Sequence, residues 1–203
     1  MKRIILISLA CILIIGGVLA IYPLNVFKTR ANGVKLVPTK VISPAEVTYF
    51  LQNDPLWTSD SLGNSSSSMG GSGCLISSIA ATISHLGFPY TPAELNEIFT
   101  ENGVYTENGL VIWKNIKNAI PHVDYKYGRT FNVDTIERLL TDGKLPIIEV
   151  KYKGFGINHW VVVIGADEND FLIMDPLNQA KTPIKLSEHG GRAYAYRVMI
   201  NTN

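Results

Sequence analysis

The hydrophobic pattern of the chain changes near residue 142, and this change constrains the fold more than any other feature. Apolar residues recur at helical spacing before that point and form short, β-rich runs after it. The helices that we predict lie at residues 75–86, from 91 onward, 110–120 and 133–141. The strands that we predict lie at residues 47–52, 146–152, 159–166, 171–175, 180–186 and 193–200. Helices first and antiparallel strands after them predict an α+β domain, with N-terminal helices packed on a C-terminal antiparallel sheet.

The composition fits one globular domain behind an N-terminal segment. The chain has 203 residues, of which 46% are hydrophobic and 17% charged, and its formal net charge is +1. The near-neutral charge and the absence of a basic stripe give no support to a nucleic-acid partner. We divide the chain into residues 1–27, a signal anchor or signal peptide, residues 28–44, a linker, and residues 45–203, the folded domain. We expect a monomer.

Residues 1–27 have the pattern of an export or membrane segment. Lys2 and Arg3 precede 24 residues without a charge, which as a helix would be about 36 Å long and would cross a bilayer. The pattern predicts either an uncleaved anchor or a signal cleaved near residues 18–20. Four basic residues lie between positions 28 and 40, so a strict positive-inside count would place the C-terminal part of the chain in the cytoplasm. A basic start followed directly by an apolar core is the usual export arrangement, so we expect an extracytoplasmic domain, either tethered or secreted.

Cys74 stands in a setting suited to nucleophilic chemistry. Cys11 lies in the N-terminal apolar run, so the two cysteines do not form a disulfide within the domain. Cys74 follows the glycine-rich residues 69–73, which permit close approach of the backbone, and it opens a predicted helix. The positive end of the helix dipole favours the thiolate form. The alternative is a small buried cysteine in the helix core.

His159 and Asp175 form the second chemical signal. His159 opens an apolar strand, where an imidazole is costly unless it is hydrogen-bonded or used, and Asp175 ends the next strand. The two side chains share a face of the sheet only if paired residue numbers give an even sum. The loop 167–170 by itself favours an odd sum, so a bulge or an odd-length loop is needed. The alternative is a core histidine and a turn-forming aspartate.

The other histidines are weaker candidates for a catalytic base. His85 lies about three helical turns from Cys74, roughly 16 Å, which is too far for proton transfer. We expect His122, beyond a predicted helix, and His189, in a loop flanked by glycine, to lie at the surface. No cluster of His, Cys, Asp and Glu has the spacing of metal ligands, so we expect neither a metal nor another cofactor.

Several of these features, taken in order, resemble a known family. They are Gln52 with Asp54-Pro-Leu-Trp57, Gly73-Cys74 at a helix start, His159-Trp160 before an apolar strand, and Asp175-Pro176 after the next one. Over about residues 45–200 the chain resembles the papain-like cysteine peptidases of the bacteriocin-leader, or double-glycine, type. The resemblance implies a papain-like fold, a triad of Cys74, His159 and Asp175, and an oxyanion hole to which Gln52 contributes. One departure is Leu75-Ile76-Ser77, where many relatives carry Gly or Ala, then Pro and Thr.

The resemblance also implies a reaction. His159 would accept the proton of Cys74, Asp175 would fix the imidazole tautomer, and Gln52 would stabilise the oxyanion, so that a peptide or amide bond of a peptide or protein substrate is hydrolysed. Three alternatives stay open. The domain could be a cell-wall peptide hydrolase, an acyltransferase that uses the same thioester, or a membrane-tethered binding module without turnover.

Overall fold

An antiparallel sheet forms the centre of the computed structural model, which describes residues 26–203. The strands are β1 (Val34–Lys35), β2 (Val123–Lys126), β3 (Pro146–Lys151), β4 (Asn158–Ala166), β5 (Phe171–Met174), β6 (Ile184–Lys185), β7 (Arg192–Ala193) and β8 (Ala195–Asn201). Six of them form one sheet in the order β2-β8-β3-β4-β5-β6, and β1 pairs with β7 in a small second sheet. The structure confirms the predicted α+β class and the antiparallel sheet of the C-terminal half.

Most helices precede the central strands, as predicted. They are α1 (Met69–Ser72), α2 (Cys74–His85), α3 (Pro92–Glu101), α4 (Ile116–Ala119) and α5 (Val133–Thr141). Thr91 begins α3 with a capping box, since its hydroxyl accepts from the Glu94 N–H and the Glu94 carboxylate accepts from the Thr91 N–H. The helix predicted at 110–120 is only a 3-10 turn, Trp113–Asn115, followed by α4. The start of the predicted helix is lost because Val111 forms a bridge with Tyr105 and the Ile112 N–H bonds the carbonyl oxygen of Val104. Pro121 ends α4, because a residue before proline, here Ile120 at φ −131° and ψ 93°, avoids helical geometry.

Helix α2 is buried on nearly every side and packs mainly against β4. Ile76, Ile79 and Ile83 are at most 1% exposed. The Ser78 hydroxyl donates a hydrogen bond of 3.2 Å to the carbonyl oxygen of Trp160, which fixes the helix against the first residues of β4. This packing brings the start of α2 close to the start of β4, and these two positions carry Cys74 and His159.

Part of the predicted linker belongs to the fold. Residues 26–32 are helical, β1 pairs with β7, and Leu36 is only 2% exposed. The backbone N–H and the hydroxyl of Thr39 both donate to the carboxylate of Glu137, which is buried in α5. The assignment of residues 28–44 to a free linker is therefore wrong for residues 34–42, because short edge pairings and buried contacts hold this segment on the domain.

Two predicted strands are shorter than expected or not formed. Within residues 26–203, no strand is assigned at 47–52, where one backbone-to-backbone bond reaches a distant segment, from the Gln52 N–H to the carbonyl oxygen of Pro176 (3.0 Å). The strand predicted at 180–186 is reduced to β6, because Lys181 has a left-handed φ of 51° that is incompatible with a strand.

A bulge in β4 sets the register of the β4–β5 hairpin. Ala166 pairs with Phe171, an odd sum, whereas Val163 pairs with Ile173, an even sum, and the shift falls between Val163 and Gly165. The even register predicted near the site is confirmed, but the extra residue lies inside the strand and not in the loop 167–170. If the pairing of Val163 with Ile173 is continued by two residues, Asp175 lies opposite Val161. Val161 and His159 share one face of the sheet, so Asp175 lies on the face that carries His159.

The predicted signal or anchor segment, residues 1–27, lies almost entirely outside the described residues. Among residues 26–203, no helix combines the length and the apolar character that crossing a membrane requires.

We predict that Glu137→Ala lowers the free energy of unfolding by about 1–3 kcal/mol, because it leaves the N–H and hydroxyl of Thr39 without their buried partner. Chemical denaturation measures the change. Glu97→Ala is the matched control, since Glu97 is an exposed glutamate in α3, and it should change the stability by less than about 0.5 kcal/mol. Equal effects of the two substitutions would mean that the contact with Thr39 contributes nothing to stability.

Candidate active site

Cys74 is the first residue of α2 and is held there by tightly packed glycines. Ser68 caps α1, Gly73 joins α1 to α2, and a Cβ atom on Gly73 would lie 2.4 Å from the carbonyl oxygen of Met69. A Cβ atom on Gly70 would lie 2.2 Å from the Thr58 hydroxyl. The glycines are therefore needed because only a residue without a side chain permits such close packing, and they do not form a flexible loop. Cys74 has a free thiol and is 8% exposed.

His159 and Asp175 meet in the interior, as the register requires. The Nε2 atom of His159 lies 2.6 Å from Oδ1 of Asp175, and the two side chains are only 3% and 5% exposed. Asp175 directly follows β5, and its Oδ1 also accepts the Leu177 N–H at 2.8 Å. The ring of Tyr152 meets the His159 ring edge to face, with the centroids 5.6 Å apart. The imidazole is thus held on two sides.

The Cys74 thiol and the His159 ring line the same cleft, and the sulfur acts on the imidazole electrostatically. Burial by itself would lower the pKa of His159, but the hydrogen bond with Asp175 and the interactions with Cys74 outweigh it and raise the pKa to about 9. Burial would raise the pKa of Asp175, but hydrogen bonds from His159 and His189 and the Leu177 N–H hold it well below its usual range. The raised pKa of His159 and the lowered pKa of Asp175 both favour an imidazolium next to a carboxylate at neutral pH.

Gln52 lies in the same cleft as Cys74 and His159. Its Nε2 donates 2.8 Å to the carbonyl oxygen of Gly70, and its side chain is buried. Its Oε1 has no hydrogen-bond partner among the described residues. Because a side-chain amide has two N–H groups, Gln52 has a second one in addition to the one that bonds Gly70. The backbone N–H of Cys74 lies in the first turn of α2, where N–H groups have no partner within the helix.

The cleft has a volume of about 570 Å³. Its walls combine polar groups, among them Asn158 and Glu149, with apolar side chains, among them Trp160 and the exposed Leu110 and Ile157. Apolar walls with a few convergent polar groups are typical of a ligand-binding site.

His189 lies next to Asp175 in the interior, where the sequence pattern did not predict it. We predicted a surface position, but His189 is 3% exposed and ends the 3-10 turn Leu186–His189. Its Nε2 lies 3.1 Å from Oδ2 of Asp175, and its Nδ1 accepts the backbone N–H of Lys153 at 3.0 Å. The only signal in the sequence was the pair of glycines that follows it, and these also fit an exposed turn. His85 and His122 are exposed and lie outside the site.

The histidines and the carboxylate also form a cluster that the spacing of the sequence did not indicate. Ligand atoms of His159, Asp175 and His189 lie within 4.8 Å of one another. Two ligands of a tetrahedral zinc ion, each about 2.0–2.1 Å from the metal, lie about 3.3 Å apart. The His159–Asp175 contact of 2.6 Å is shorter than that and has the length of a charge-assisted hydrogen bond. The residues as placed fit a hydrogen-bonded relay and do not fit a metal site.

Comparison with known proteins gives a family match and a solved structure of similar fold. The model of the peptidase C39-like family matches residues 44–198. The crystal structure of a protein described as a C39-like peptidase from Bacillus anthracis has a similar fold, with a TM-score of 0.50 at 15% sequence identity, over 77% of this chain and 98% of that one. No curated protein matches the chain. The family match spans well over half of the sequence and confirms the resemblance stated above: the chain belongs to the peptidase C39-like family and is a cysteine peptidase.

Proposed function

We propose that the protein hydrolyses peptide bonds in a peptide or protein substrate through a triad of Cys74, His159 and Asp175. The observation that carries the proposal is the buried bond of 2.6 Å between His159 and Asp175, on an imidazole that lines the same cleft as the Cys74 thiol. Nucleophile, base and orienting carboxylate in such a chain of contacts are the parts of a triad.

The first step is proton transfer from Cys74 to His159. Asp175 bonds Nε2 of the ring, which leaves Nδ1 to take the proton. The raised pKa of His159, about 9, favours the imidazolium at neutral pH, and the positive end of the α2 dipole favours negative charge on the sulfur. The thiolate then attacks the scissile carbonyl carbon and forms a carbon–sulfur bond.

In the proposed mechanism, two N–H groups would stabilise the tetrahedral intermediate. The second N–H of the Gln52 amide and the backbone N–H of Cys74 would donate to the oxyanion, each worth about 3 kcal/mol in the transition state. His159 then donates its proton to the leaving amine, and the carbon–nitrogen bond breaks. A water molecule hydrolyses the resulting thioester, again with His159 as base, and the free thiol is regenerated.

We propose further that the domain acts outside the cytoplasm, tethered to the membrane or secreted. The support comes from the sequence alone: Lys2 and Arg3 followed by 24 residues without a charge. Separation of cells into cytoplasmic, membrane and extracellular fractions tests this proposal. Recovery of the protein in the cytoplasmic fraction alone would contradict it.

We predict that Cys74→Ala reduces peptide hydrolysis to the uncatalysed background, because the nucleophile is lost while the buried methyl group is tolerated. Turnover of a peptide library, with the melting temperature as a check on folding, measures the effect. Cys11→Ala is the matched control and should keep full activity, since Cys11 lies outside the domain. Hydrolysis by folded Cys74→Ala protein would exclude Cys74 as the nucleophile.

We predict that Gln52→Ala lowers kcat by about two to three orders of magnitude, with a smaller effect on alkylation of Cys74 by iodoacetamide, because an oxyanion donor acts only on the transition state. Gln179→Ala is the matched control, since Gln179 is exposed, and it should leave kcat unchanged. If kcat of the Gln52 variant stayed within a few-fold of the wild-type value, the oxyanion hole would have to be formed by other groups.

We predict that His159 titrates near pH 9 in the wild type and closer to 6.5 in Asp175→Asn, because the amide no longer stabilises the imidazolium. NMR of histidine-labelled protein measures the pKa. A raised folded-state pKa stabilises the fold below pH 6.5, and this stabilisation is lost as the pH rises through about 9. The unfolding free energy should therefore fall more between pH 6 and pH 10 in the wild type than in the variant. The exposed Asp134, changed to Asn, is the control.

A further inference from the structure

His189 is held in a defined orientation by two turns that touch through glycines. Gly154 and Gly190 have left-handed φ angles of 88° and 79°, and a Cβ atom on Gly190 would lie 3.0 Å from the Cα of Gly154. Side chains at these positions would force the turns apart. The contact places the 3-10 turn Tyr152–Gly154 against the turn that ends at His189. The turn that carries His189 is therefore in direct backbone contact with the turn Tyr152–Gly154.

The hydrogen bonds of His189 define its tautomer. The backbone N–H of Lys153 donates to Nδ1 at 3.0 Å, so Nδ1 carries no hydrogen and the ring hydrogen is on Nε2. Nε2 faces Oδ2 of Asp175 at 3.1 Å and donates to it. Lys153 holds a left-handed φ of 52°, which is uncommon for a residue with a side chain. The left-handed backbone of Lys153 is thus retained at the residue whose N–H bonds Nδ1 of His189 and sets the tautomer.

The carboxylate of Asp175 is consequently bound at both oxygens. Oδ1 bonds Nε2 of His159 and the Leu177 N–H, whereas Oδ2 bonds His189. Without the bond to His189, the carboxylate would keep its contacts at Oδ1 but would be free to rotate about them. Rotation would misalign the bond to His159, whose strength depends on direction.

We propose that His189 is a positioning residue: it fixes the plane of the Asp175 carboxylate and, through it, the orientation of the His159 ring toward Cys74. The proposal rests on the proposed function, because it assigns Asp175 the role of orienting His159. His189 touches neither the thiol nor the bond to be cleaved in this arrangement; its effect is transmitted through the carboxylate. The ring of Tyr152, which contacts both imidazoles with centroids 5.6 and 5.5 Å away, supports the same geometry from the side.

Other charged groups near His189 bear on any pH measurement. Asp175 and His159 face it from the sheet, and the ammonium of Lys153 lies over the Tyr152 ring. On its own turn, Glu188 is exposed, while Asp170 accepts the Ser187 N–H and Lys35 donates to the Gly190 carbonyl oxygen. Asp170 and Lys35 therefore bind the turn from outside. Because these groups also titrate or carry charge near His189, the test measures the titration of His159.

The test compares His189→Ala with His189→Gln in the full chain. Glutamine keeps an N–H at about the distance of Nε2, so it can still donate to Asp175, whereas alanine cannot. We expect His189→Ala to lower kcat about tenfold to a hundredfold with little change in KM, and to lower the NMR pKa of His159 from about 9 toward its ordinary value. His189→Gln should restore most of both. His122→Gln, at an exposed histidine, should change neither.

Each alternative result has a distinct meaning. If His189→Ala lowers activity only in proportion to its unfolded fraction and leaves the pKa of His159 unchanged, the role of His189 is structural and the proposal is overturned. If glutamine rescues neither measurement in a folded protein, donation to Asp175 is not the cause. The NMR measurement does not require turnover, so it tests His189 even if Cys74→Ala retains activity and the proposed function fails.

Discussion

The bulge between Val163 and Gly165 is the constraint on which the site depends. Without the extra residue, the pairing of Ala166 with Phe171 would continue along the hairpin and place Asp175 opposite Val162, on the face away from His159. The bulge is stabilised from outside the hairpin, because Ile164 accepts the Ala45 N–H at 2.8 Å. Gly165 is required there, since a Cβ atom would lie 2.7 Å from the Cα of Pro44. The N-terminal segment thus helps to set the face of the sheet on which the carboxylate of Asp175 lies.

Burial of Asp175 makes its hydrogen-bond donors necessary. An ionised carboxylate in the interior costs several kcal/mol unless it is paired and hydrogen-bonded. Three donors meet this one, from His159, His189 and the Leu177 backbone, and they come from three separate segments of the chain. The hydrogen bonds to the Asp175 carboxylate therefore connect β4, the end of β5 and the turn at His189. Stability of this region and orientation of the imidazole have the same physical origin.

Features that follow from local sequence patterns were predicted, whereas features that depend on packing between distant segments were not. Cys74 was found because glycines precede a helical stripe, and His159 because an imidazole interrupts an apolar strand. An even sum of paired residue numbers required a bulge or an odd-length loop. The position of the extra residue was not predictable, since either the strand or the loop could hold it. His189 was misplaced because a histidine before two glycines has the same local pattern whether the turn is exposed or covered.

The missed N-terminal packing has a similar cause. Residues 34–42 contact the domain through a two-residue strand and through Thr39, whose partner Glu137 is 98 residues away. Neither contact has a periodic pattern, so no window of sequence reveals it. The strand predicted at 47–52 failed for the opposite reason: its composition favours β structure, but its backbone bonds with the carbonyl oxygen of Pro176 and has no neighbouring strand to pair with.

The proposed catalytic groups lie on two packed parts of the fold, and the contact between these parts determines the geometry of the site. Gln52 bonds the carbonyl oxygen of Gly70 in α1, and the tight contact of Gly73 with Met69 joins α1 to Cys74, so Gln52 and Cys74 are linked through α1. His159 and Asp175 belong to the sheet. The distance between thiol and imidazole is then set by how α2 packs on β4, where the bond from Ser78 to Trp160 lies one residue beyond His159. Close packing of a helix on a strand leaves little freedom along this interface, so the core of the domain is also what holds the proposed triad in place.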